Sequence, residues 1–407
     1  MNILISAFAI NPYKGSEPGL GWHWVTEIAK YCNVFVICSD EFKTEVLTEY
    51  EKLKTRDKIK IVFNHISPRA IDLLNHNSWW FYHYYRKWQK ETYKIAKEIC
   101  LNNRIDIIHQ LSLTCFREAG YLWKIEGPKY VWGPVDGMNP CPINYIKGVN
   151  FQIIWRYRIK NILNWLQLRF DYRVRKAAQR ADLIYCDSQT GADTFNNLYG
   201  VNSIQINEAG CTVPAMSFKK TIKAKGTFDI LWVGRFIPTK LLDLLFKSVS
   251  LIGEGYNIRV HIVGWGELEQ KYRSIATQLG VEKNCVWHGR IPHEEVESIM
   301  RKSDLFFFTS VVEGTPSVIM ESISNKLPIL CFNTCGFGPM VDESIGVKIN
   351  LSTPSQSAIE FAEIIKRLYN DRSLLSNMSE NCEVKIYQIS WQSLGEKIVG
   401  LYKKVLD

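Results

Sequence analysis

Residues 305–321 have the sequence LFFFTSVVEGTPSVIME. An apolar run of strand length leads through a glycine-containing loop into a segment with helical spacing. Units of this kind recur along most of the chain, and their order is typical of parallel sheets covered by helices on both faces. The stretch therefore predicts an α/β fold built from repeated βαβ units.

The 407 residues are too many for one ordinary core and suit two domains of roughly 200 residues each. In the first half we predict strands at 2–9, 33–39, 59–64, 105–110, 129–132 and 183–187. In the second half we predict strands at 230–233, 258–263, 286–288, 305–309, 329–332 and 346–349. We divide the chain into a first domain at 1–213, a linker at 214–227, a second domain at 228–390 and a C-terminal helix at 391–407 that returns to the first domain.

The composition is that of a globular protein, with 46% hydrophobic and 22% charged residues. No segment approaches the ~20 uninterrupted apolar residues of a membrane span, and the apolar start lacks the basic region of a signal peptide. The 11 cysteines contain no CxxC pair, which favours a reducing compartment without a disulfide framework. We therefore expect a cytoplasmic protein without a metal site.

Residues 154–180 combine an excess of positive charge with interleaved aromatic residues. The cations are Arg156, Arg158, Lys160, Arg169, Arg173, Arg175, Lys176 and Arg180. Such a stretch can lie on the cytoplasmic face of an anionic membrane as a peripheral contact, and it can equally be a solvated helix that packs its apolar stripe on its own core. The aromatic cluster at 79–88 offers a second candidate surface. No nucleic-acid-binding motif accompanies the charge.

Two cations follow the strand predicted at 230–233. The strand ends at Gly234, and Arg235 and Lys240 lie on the loop before the next helix. A planar guanidinium fork and a mobile ammonium together suit a diphosphate. Taken alone, this segment is better explained by two solvated loop cations, but it lies where open α/β sheets bind ligands.

The loop after the strand at 305–309 carries a carboxylate and a helix start. Glu313 lies in this loop, and Gly314 lets the backbone turn tightly or approach a ligand. Thr315 and Pro316 suit an N-cap and a first helical position. The loop is therefore a second candidate ligand site.

The helix predicted at 317–324 would direct its free N–H groups, from Ser317 onward, at a bound anion. Glu321 lies about one turn into this helix, where its carboxylate can accept two hydrogen bonds from a diol such as a ribose. The alternative is that Glu313 is a loop acid and Glu321 an exposed helix residue.

A third strand–turn–helix segment begins at Gly289. Arg290 or Ile291 could lie against the face of a base whose edge is read by the backbone of this turn. His288 and His293 are better explained as structural or surface residues than as catalytic ones.

In this order, the three motifs resemble those of the retaining glycosyltransferases of family 4, which have the GT-B fold. The hallmark of that family is a pair of glutamates separated by seven residues, matched here by Glu313 and Glu321. The Gly-Arg…Lys loop at 234–240 and the Gly-Arg-Ile-Pro turn at 289–292 accompany it. The resemblance implies two Rossmann-like domains whose parallel sheets face each other across a cleft, with the acceptor on the first and the nucleotide sugar on the second.

The resemblance also implies roles for these residues. Arg235 and Lys240 would stabilise the leaving diphosphate, and Glu313 would contact the donor sugar. Glu321 would bind the ribose hydroxyls. The further donor-binding residues that it implies are Gly19, Gly234, Arg290, Ile291, Gly314, Thr315, Pro316 and Ser317.

The first half carries the resemblance less specifically. The loop at 14–22 lies where the family places a glycine-rich loop near the donor phosphates, although Gly19 and Gly21 are isolated here. His109 belongs to the strand whose terminal histidine faces the transferred sugar in the family, and it would orient that sugar. One departure lies in the second half, where Leu241 follows Lys240 and many relatives have glycine.

The resemblance implies a hexosyltransferase that retains configuration and uses no side chain as nucleophile. The motif Asp-x-Asp, which holds a divalent cation in the other large glycosyltransferase fold, does not occur in the sequence. We therefore predict no metal requirement and no cofactor besides the nucleotide sugar.

The basic, aromatic first half favours a glycan acceptor that is lipid-linked or a precursor of a surface polysaccharide such as lipopolysaccharide. The donor's sugar and base stay open. A sugar-nucleotide epimerase and a non-catalytic sugar-nucleotide-binding protein of the same fold also stay open as alternatives. A nicotinamide-dependent oxidoreductase does not fit, because Gly264-Trp265-Gly266 lacks the third glycine of that fingerprint.

Overall fold

The computed structural model describes residues 1–76, 78–148, 150–214, 218–220, 222 and 225–407. Parts of the predicted linker, namely 215–217, 221 and 223–224, lie outside the described residues. The chain divides into two compact units. The first comprises Met1–Met138, Leu163–Ala209 and Trp391–Asp407, and the second comprises Asn139–Ile162 and Gly210–Ser390.

Strands and helices alternate along much of the described chain. The strands are β1 Asn2–Ser6, β2 Asn33–Ser39, β3 Ile59–Asn64, β4 Ile107–Gln110, β5 Lys129–Val135, β6 Leu183–Cys186, β7 Ser203–Gln205, β8 Phe228–Val233, β9 Ile258–Val263, β10 Cys285–Gly289, β11 Leu305–Phe308, β12 Ile329–Phe332 and β13 Gly346–Ile349. The helices are α1 Ser16–Ala29, α2 Lys43–Tyr50, α3 Pro68–Asn75, α4 Phe81–Asn102, α5 Phe151–Phe170, α6 Tyr172–Arg180, α7 Gln189–Tyr199, α8 Leu242–Ser250, α9 Glu269–Gln278, α10 His293–Lys302, α11 Ser317–Ser324, α12 Pro354–Asn370, α13 Arg372–Gln388 and α14 Trp391–Leu406.

The first unit is a parallel sheet with the strand order β3-β2-β1-β4-β5-β6-β7. Its inner strands are buried on both faces because helices cover each side, which explains their nearly continuous apolar sequences. Helix α14 packs against α1 and contributes Ile398, Val399 and Tyr402 to the core of this unit.

The second unit is a parallel sheet with the order β10-β9-β8-β11-β12-β13. Both units therefore have the strand order of Rossmann-like domains, and the prediction of two such domains is confirmed. Residues 139–162 differ from the predicted division, because Cys141, Tyr145 and Ile146 pack in the core of the second unit. The exact bounds of the predicted domains and of the linker stay predictions.

In the part of the chain that the structure describes, no helix is both long enough and apolar enough to cross a membrane.

Candidate active site

The second sheet has a topological switch at β8. Strands β9 and β10 lie on one side of β8, and strands β11 to β13 lie on the other. All the pairs are parallel, so the loops after β8 and β11 leave in opposite directions at the carboxyl edge and open a crevice, where sheets of this kind bind ligands. The predicted site residues on these two loops are Gly234, Arg235, Lys240, Glu313, Gly314, Thr315 and Pro316.

Glycines let the strand ends beside the crevice approach each other through their backbones. The amide of Gly234 donates to the carbonyl of Val263 (3.0 Å), and the amide of Gly264 donates to the carbonyl of Gly289 (2.9 Å). Gly264 has a φ of +150°, and a Cβ atom there would lie 1.8 Å from the carbonyl oxygen of Gly234. A side chain at Gly264 would therefore push the loops after β8 and β9 apart.

Lys240 and Glu313 form an ion pair that joins the two loops of the crevice. The Lys240 ammonium contacts Glu313 Oε1, and their side chains are only 14% and 23% exposed. The Ser310 hydroxyl donates to the same carboxylate oxygen (3.1 Å), and the Thr309 hydroxyl donates to the carbonyl of Lys240 (2.5 Å). The ammonium also lies 5.1 Å from the centroid of the Phe308 ring. The structure thus brings together two residues that are far apart in sequence and that were both predicted for the site.

Arg235 lies on the same loop with an exposed side chain. Within the described ranges, no carboxylate lies at ion-pair distance from its guanidinium, whereas Lys240 is paired. An exposed guanidinium at the edge of the crevice is available to bind an anion.

The backbone after Lys240 adopts a left-handed conformation. Leu241 has φ +49° and ψ +47°, and it is the N-cap residue of α8. This region is unfavourable for residues other than glycine, by roughly 1–2 kcal/mol. The Leu241 side chain is buried in the core of the unit, and this burial offsets the strain. Leucine therefore adopts at this position a backbone conformation that usually favours glycine.

Helix α11 spans Ser317–Ser324, the range predicted for it, but its N-cap is not the predicted residue. Pro316 is its N-cap residue, with ψ +127°, and Ser317 is its first helical residue. The prediction that Thr315 is the N-cap is therefore wrong, because the extended ψ of Pro316 delays the helical hydrogen bonds. The first amide donors of the helix still lie at the crevice side of the loop after β11.

Glu321 has a neighbour that the sequence did not indicate. His293 Nε2 lies 3.6 Å from Glu321 Oε2, and His293 Nδ1 lies 3.7 Å from a carboxylate oxygen of Glu297. The helix α10 that begins at His293 thus places an imidazole beside the carboxylate predicted to bind a ribose. Nothing in the spacing of these residues along the chain reveals the contact.

The loops after β9 and β10 meet through an aromatic side chain. The Arg290 guanidinium lies over the Trp265 ring at 4.6 Å from the centroid, and the Trp265 ring is partly exposed. The backbone carbonyl of Trp265 accepts a hydrogen bond from the amide of Phe236 on the loop after β8 (2.8 Å). Arg290 is exposed and Ile291 is half-buried, and their contact with a base stays a prediction. Trp265 was missed, although a tryptophan between two glycines after a strand is a visible signal.

The structure does not support the predicted contact of His109 with the donor sugar. His109 is completely buried in the first unit. Its Nδ1 lies 2.6 Å from the Tyr402 hydroxyl and its Nε2 lies 2.5 Å from the carbonyl oxygen of Gly133. A carbonyl only accepts, so we assign the proton to Nε2 and a hydrogen bond from Tyr402 to Nδ1. Burial lowers the pKa of His109 to about 4, so the ring is neutral and both nitrogens are occupied.

Gly19 serves packing within the first unit. It lies inside α1, and a Cβ atom there would lie 2.1 Å from the carbonyl oxygen of Lys14. Nearby, the Glu17 carboxylate accepts a hydrogen bond from the amide of Thr114 (3.2 Å), and burial raises the pKa of Glu17 to about 7. The close approach that requires glycine at position 19 is thus made by the chain itself.

Two Rossmann-like sheets, with a cationic loop cluster at the switch point of the second, define the GT-B fold of glycosyltransferases. Residues 215–384 match the family model described as "Glycosyl transferases group 1". The chain is 23% identical over 326 residues to "Protein CapJ" of Staphylococcus aureus, which covers 78% of this chain and 80% of the relative.

Two further matches span most of the chain. It is 25% identical over 328 residues to the UDP-Gal:alpha-D-GlcNAc-diphosphoundecaprenol alpha-1,3-galactosyltransferase of Escherichia coli, covering 77% of this chain and 76% of the relative. The crystal structure of Anabaena HepE in complex with UDP superposes with a TM-score of 0.61 at 16% identity, covering 99% of this chain and 100% of that one. Together the matches support the glycosyltransferase superfamily.

Proposed function

We propose that this chain is a retaining glycosyltransferase of family 4 that transfers a hexose from a nucleotide-diphosphate donor to a glycan acceptor. The observation that carries the proposal is the pair of Lys240 and Glu313 at the switch point of the second sheet, with Arg235 exposed beside it. A cation held by a carboxylate and a second, exposed cation suit a site that binds both a sugar and a diphosphate.

The ammonium of Lys240 has three N–H donors. It can keep Glu313 and still donate to a phosphate oxygen, which would set the sugar-binding carboxylate next to the leaving group. Arg235, Lys240 and the amides at the start of α11 would stabilise the negative charge that develops on the diphosphate, a contribution that usually dominates such reactions. These groups support the proposal that no metal ion or further cofactor is required.

In the proposed reaction, the bond between the anomeric carbon and the phosphate oxygen breaks as the acceptor hydroxyl approaches from the same face. The new bond joins the anomeric carbon to the acceptor oxygen, and the hydroxyl proton moves to the departing phosphate oxygen. No side chain forms a covalent intermediate. We assign His109 no role in this step, because both of its ring nitrogens are bonded within the core of the first unit.

The names of the relatives suggest a class of donor and a class of acceptor. The Escherichia coli relative is named for a UDP-galactose donor and a diphosphoundecaprenol acceptor, and HepE binds UDP. We therefore propose a UDP-sugar donor and a lipid-linked acceptor or polysaccharide precursor, reached by peripheral contact with the cytoplasmic face of the membrane.

A thermal-shift panel of UDP, GDP, ADP and CDP, followed by their sugars, tests the donor site. A ligand at ~100 times its dissociation constant adds about 2.7 kcal/mol to the free energy of unfolding. We expect one base to give a large shift, and the matching sugar nucleotide to give a product whose new linkage keeps the anomeric configuration. Release of a free epimerised sugar nucleotide would instead identify an epimerase, and binding without any turnover would identify a non-catalytic protein.

A further inference from the structure

Helix α5 turns polar residues toward the protein. The row formed by Tyr157, Asn161, Asn164 and Leu168, with spacings of three and four residues, is its inward face. Asn161 exchanges two hydrogen bonds with the backbone of Cys141 (2.9 and 3.0 Å). The Asn164 side chain is buried and donates to the carbonyl of Gly137 (3.0 Å). Side-chain amides thus take the positions that the core side of a helix usually gives to apolar residues.

Six large apolar residues of α5 face outward. The row consists of Phe151, Trp155, Ile159, Ile162, Leu166 and Phe170, with side chains between 39% and 73% exposed. At 3.6 residues per turn, the spacings of three and four residues place this row on one face of the helix, roughly opposite the inward row. The second interpretation of residues 154–180, a helix that packs its apolar stripe on its own core, therefore holds for Tyr157 and Leu168 but not for this outward row.

The charges on α5 all have one sign. The sequence from 151 to 170 has no Asp or Glu and contains Arg156, Arg158, Lys160 and Arg169. None of these four forms an ion pair with a residue in the described ranges. The guanidinium of Arg158 lies 5.7 Å from the centroid of the Trp155 ring, and that of Arg169 lies 4.3 Å from the Trp165 ring. The cations therefore border the apolar row and leave their charges to solvent.

The exposed apolar row of α5 and the cations that border it together fit one kind of binding partner. A contiguous exposed apolar row marks a contact surface. A second copy of the chain would bring an equal, acid-free set of cations against the first, and like charges that face each other across an interface are repelled. An anionic lipid surface offers both an apolar layer for the row and negative charge for its border.

We propose that α5 lies flat on an anionic membrane, with its outer row in the boundary between headgroups and acyl chains and its four cations at the level of the phosphates. This proposal rests on the lipid-linked acceptor of the proposed function and names the surface that reaches it. Its test uses vesicles that contain neither donor nor acceptor, so it succeeds or fails independently of turnover.

The experiment is co-sedimentation of the full chain with phosphatidylcholine vesicles, with and without phosphatidylglycerol, at low and high salt. We expect binding to the anionic vesicles that weakens as salt rises. Each cation contributes about fivefold to partitioning, so the triple variant Arg156→Gln, Arg158→Gln, Lys160→Gln should bind on the order of 100-fold more weakly. The variant Phe151→Ser, Trp155→Ser, Ile159→Ser should lose the binding that persists at high salt.

The matched control is Lys397→Gln, Lys403→Gln, Lys404→Gln, which removes three exposed cations from α14, a helix without such a row. It should bind within a few-fold of the wild type. Equal binding to both kinds of vesicle, no binding to either, or the same loss in both triple variants would overturn the proposal. The proposal would also be overturned if the wild type dimerised in the absence of vesicles and the triple serine variant did not. Donor binding in a thermal-shift assay checks that each variant is folded, and its absence in the wild type would count against the proposed function alone.

Discussion

A Cβ atom added to Gly264 would lie 1.8 Å from the carbonyl oxygen of Gly234, a separation at which one of the two loops has to move. Gly264 directly follows β9, and Gly234 directly follows β8. Their close contact therefore fixes the position of the loop that carries Arg235 and Lys240. The geometry of the cations therefore depends on a residue that carries no side chain.

Gly264→Ala should destabilise the protein by about 3 kcal/mol or more and weaken donor binding, because the methyl group clashes with backbone and φ is +150°. Urea unfolding and thermal shift with the donor nucleotide measure the two effects. The control is Gly280→Ala, where φ is +70° and no atom lies within 4 Å of an added Cβ. That variant should lose only about 1–2 kcal/mol and keep its donor affinity. Equal effects from both substitutions would show that the close approach is unimportant.

Arg235→Ala and Lys240→Ala should each lower kcat on the order of 10²–10³-fold, as expected when one group that stabilises developing charge is removed. The melting temperature should hardly change for Arg235→Ala, because its side chain is exposed. Lys240→Ala leaves the mostly buried carboxylate of Glu313 without its cation, so we expect this variant to lose about 1–3 kcal/mol of stability but to stay folded.

Lys247→Ala is the control for these two variants, since it removes a cation of α8 that pairs with Asp243 at a distance of 2.9 Å. It should keep wild-type turnover. If Arg235→Ala or Lys240→Ala retained more than about a tenth of the wild-type kcat, the diphosphate would bind elsewhere.

Transfer should proceed in excess chelator. The reason is that Arg235, Lys240 and the start of α11 supply positive charge where a divalent cation would otherwise stand. Initial rates with and without EDTA, and after addition of magnesium or manganese, measure this. A rate that falls with EDTA and returns with either metal would contradict the prediction.

The sequence predicts the architecture well because buried parallel strands have continuous apolar runs with distinctive ends. The loops after β8 and β11 were identified from glycine, proline and charge at those ends, and the structure brings Lys240 and Glu313 together there. Neighbouring loops at one edge of a sheet follow from strand order alone. For this reason, the positions of the loops in the second half can be predicted more reliably than the contacts of individual side chains.

Contacts between distant elements could not be predicted in this way. Tyr402 bonds His109 from a helix at the other end of the chain, and His293 meets Glu321 across two helices. A histidine in a strand looks the same in sequence whether its ring enters a ligand site or a core. The sequence also does not show which face α5 exposes. A periodicity argument assigns the apolar row of a helix to the core, but in α5 the core side carries Asn161 and Asn164, which bond to the backbone.

The burial of His109 predicts a specific dependence of stability on pH. The pKa of this residue is lowered from 6.5 to about 4 in the folded protein because its ring is removed from water. Above pH 6.5 the ring is neutral in both states. As the pH falls, the unfolded chain takes up a proton that the folded chain refuses, so stability present above pH 6.5 is lost until the pH reaches about 4, on the order of 3 kcal/mol in all.

His109→Gln should therefore be less stable than the wild type at pH 8, where it lacks the bonds to Tyr402 and Gly133, but its stability should fall less steeply between pH 6.5 and 4. The difference in slope should approach 1.4 kcal/mol per pH unit, the value for one proton. Glu17 contributes a slope of opposite sign, since its pKa is raised to about 7, but that slope is common to both proteins and cancels in the comparison. Parallel stability curves for wild type and His109→Gln would mean that the ring takes up protons in the folded state, as a histidine open to a substrate would.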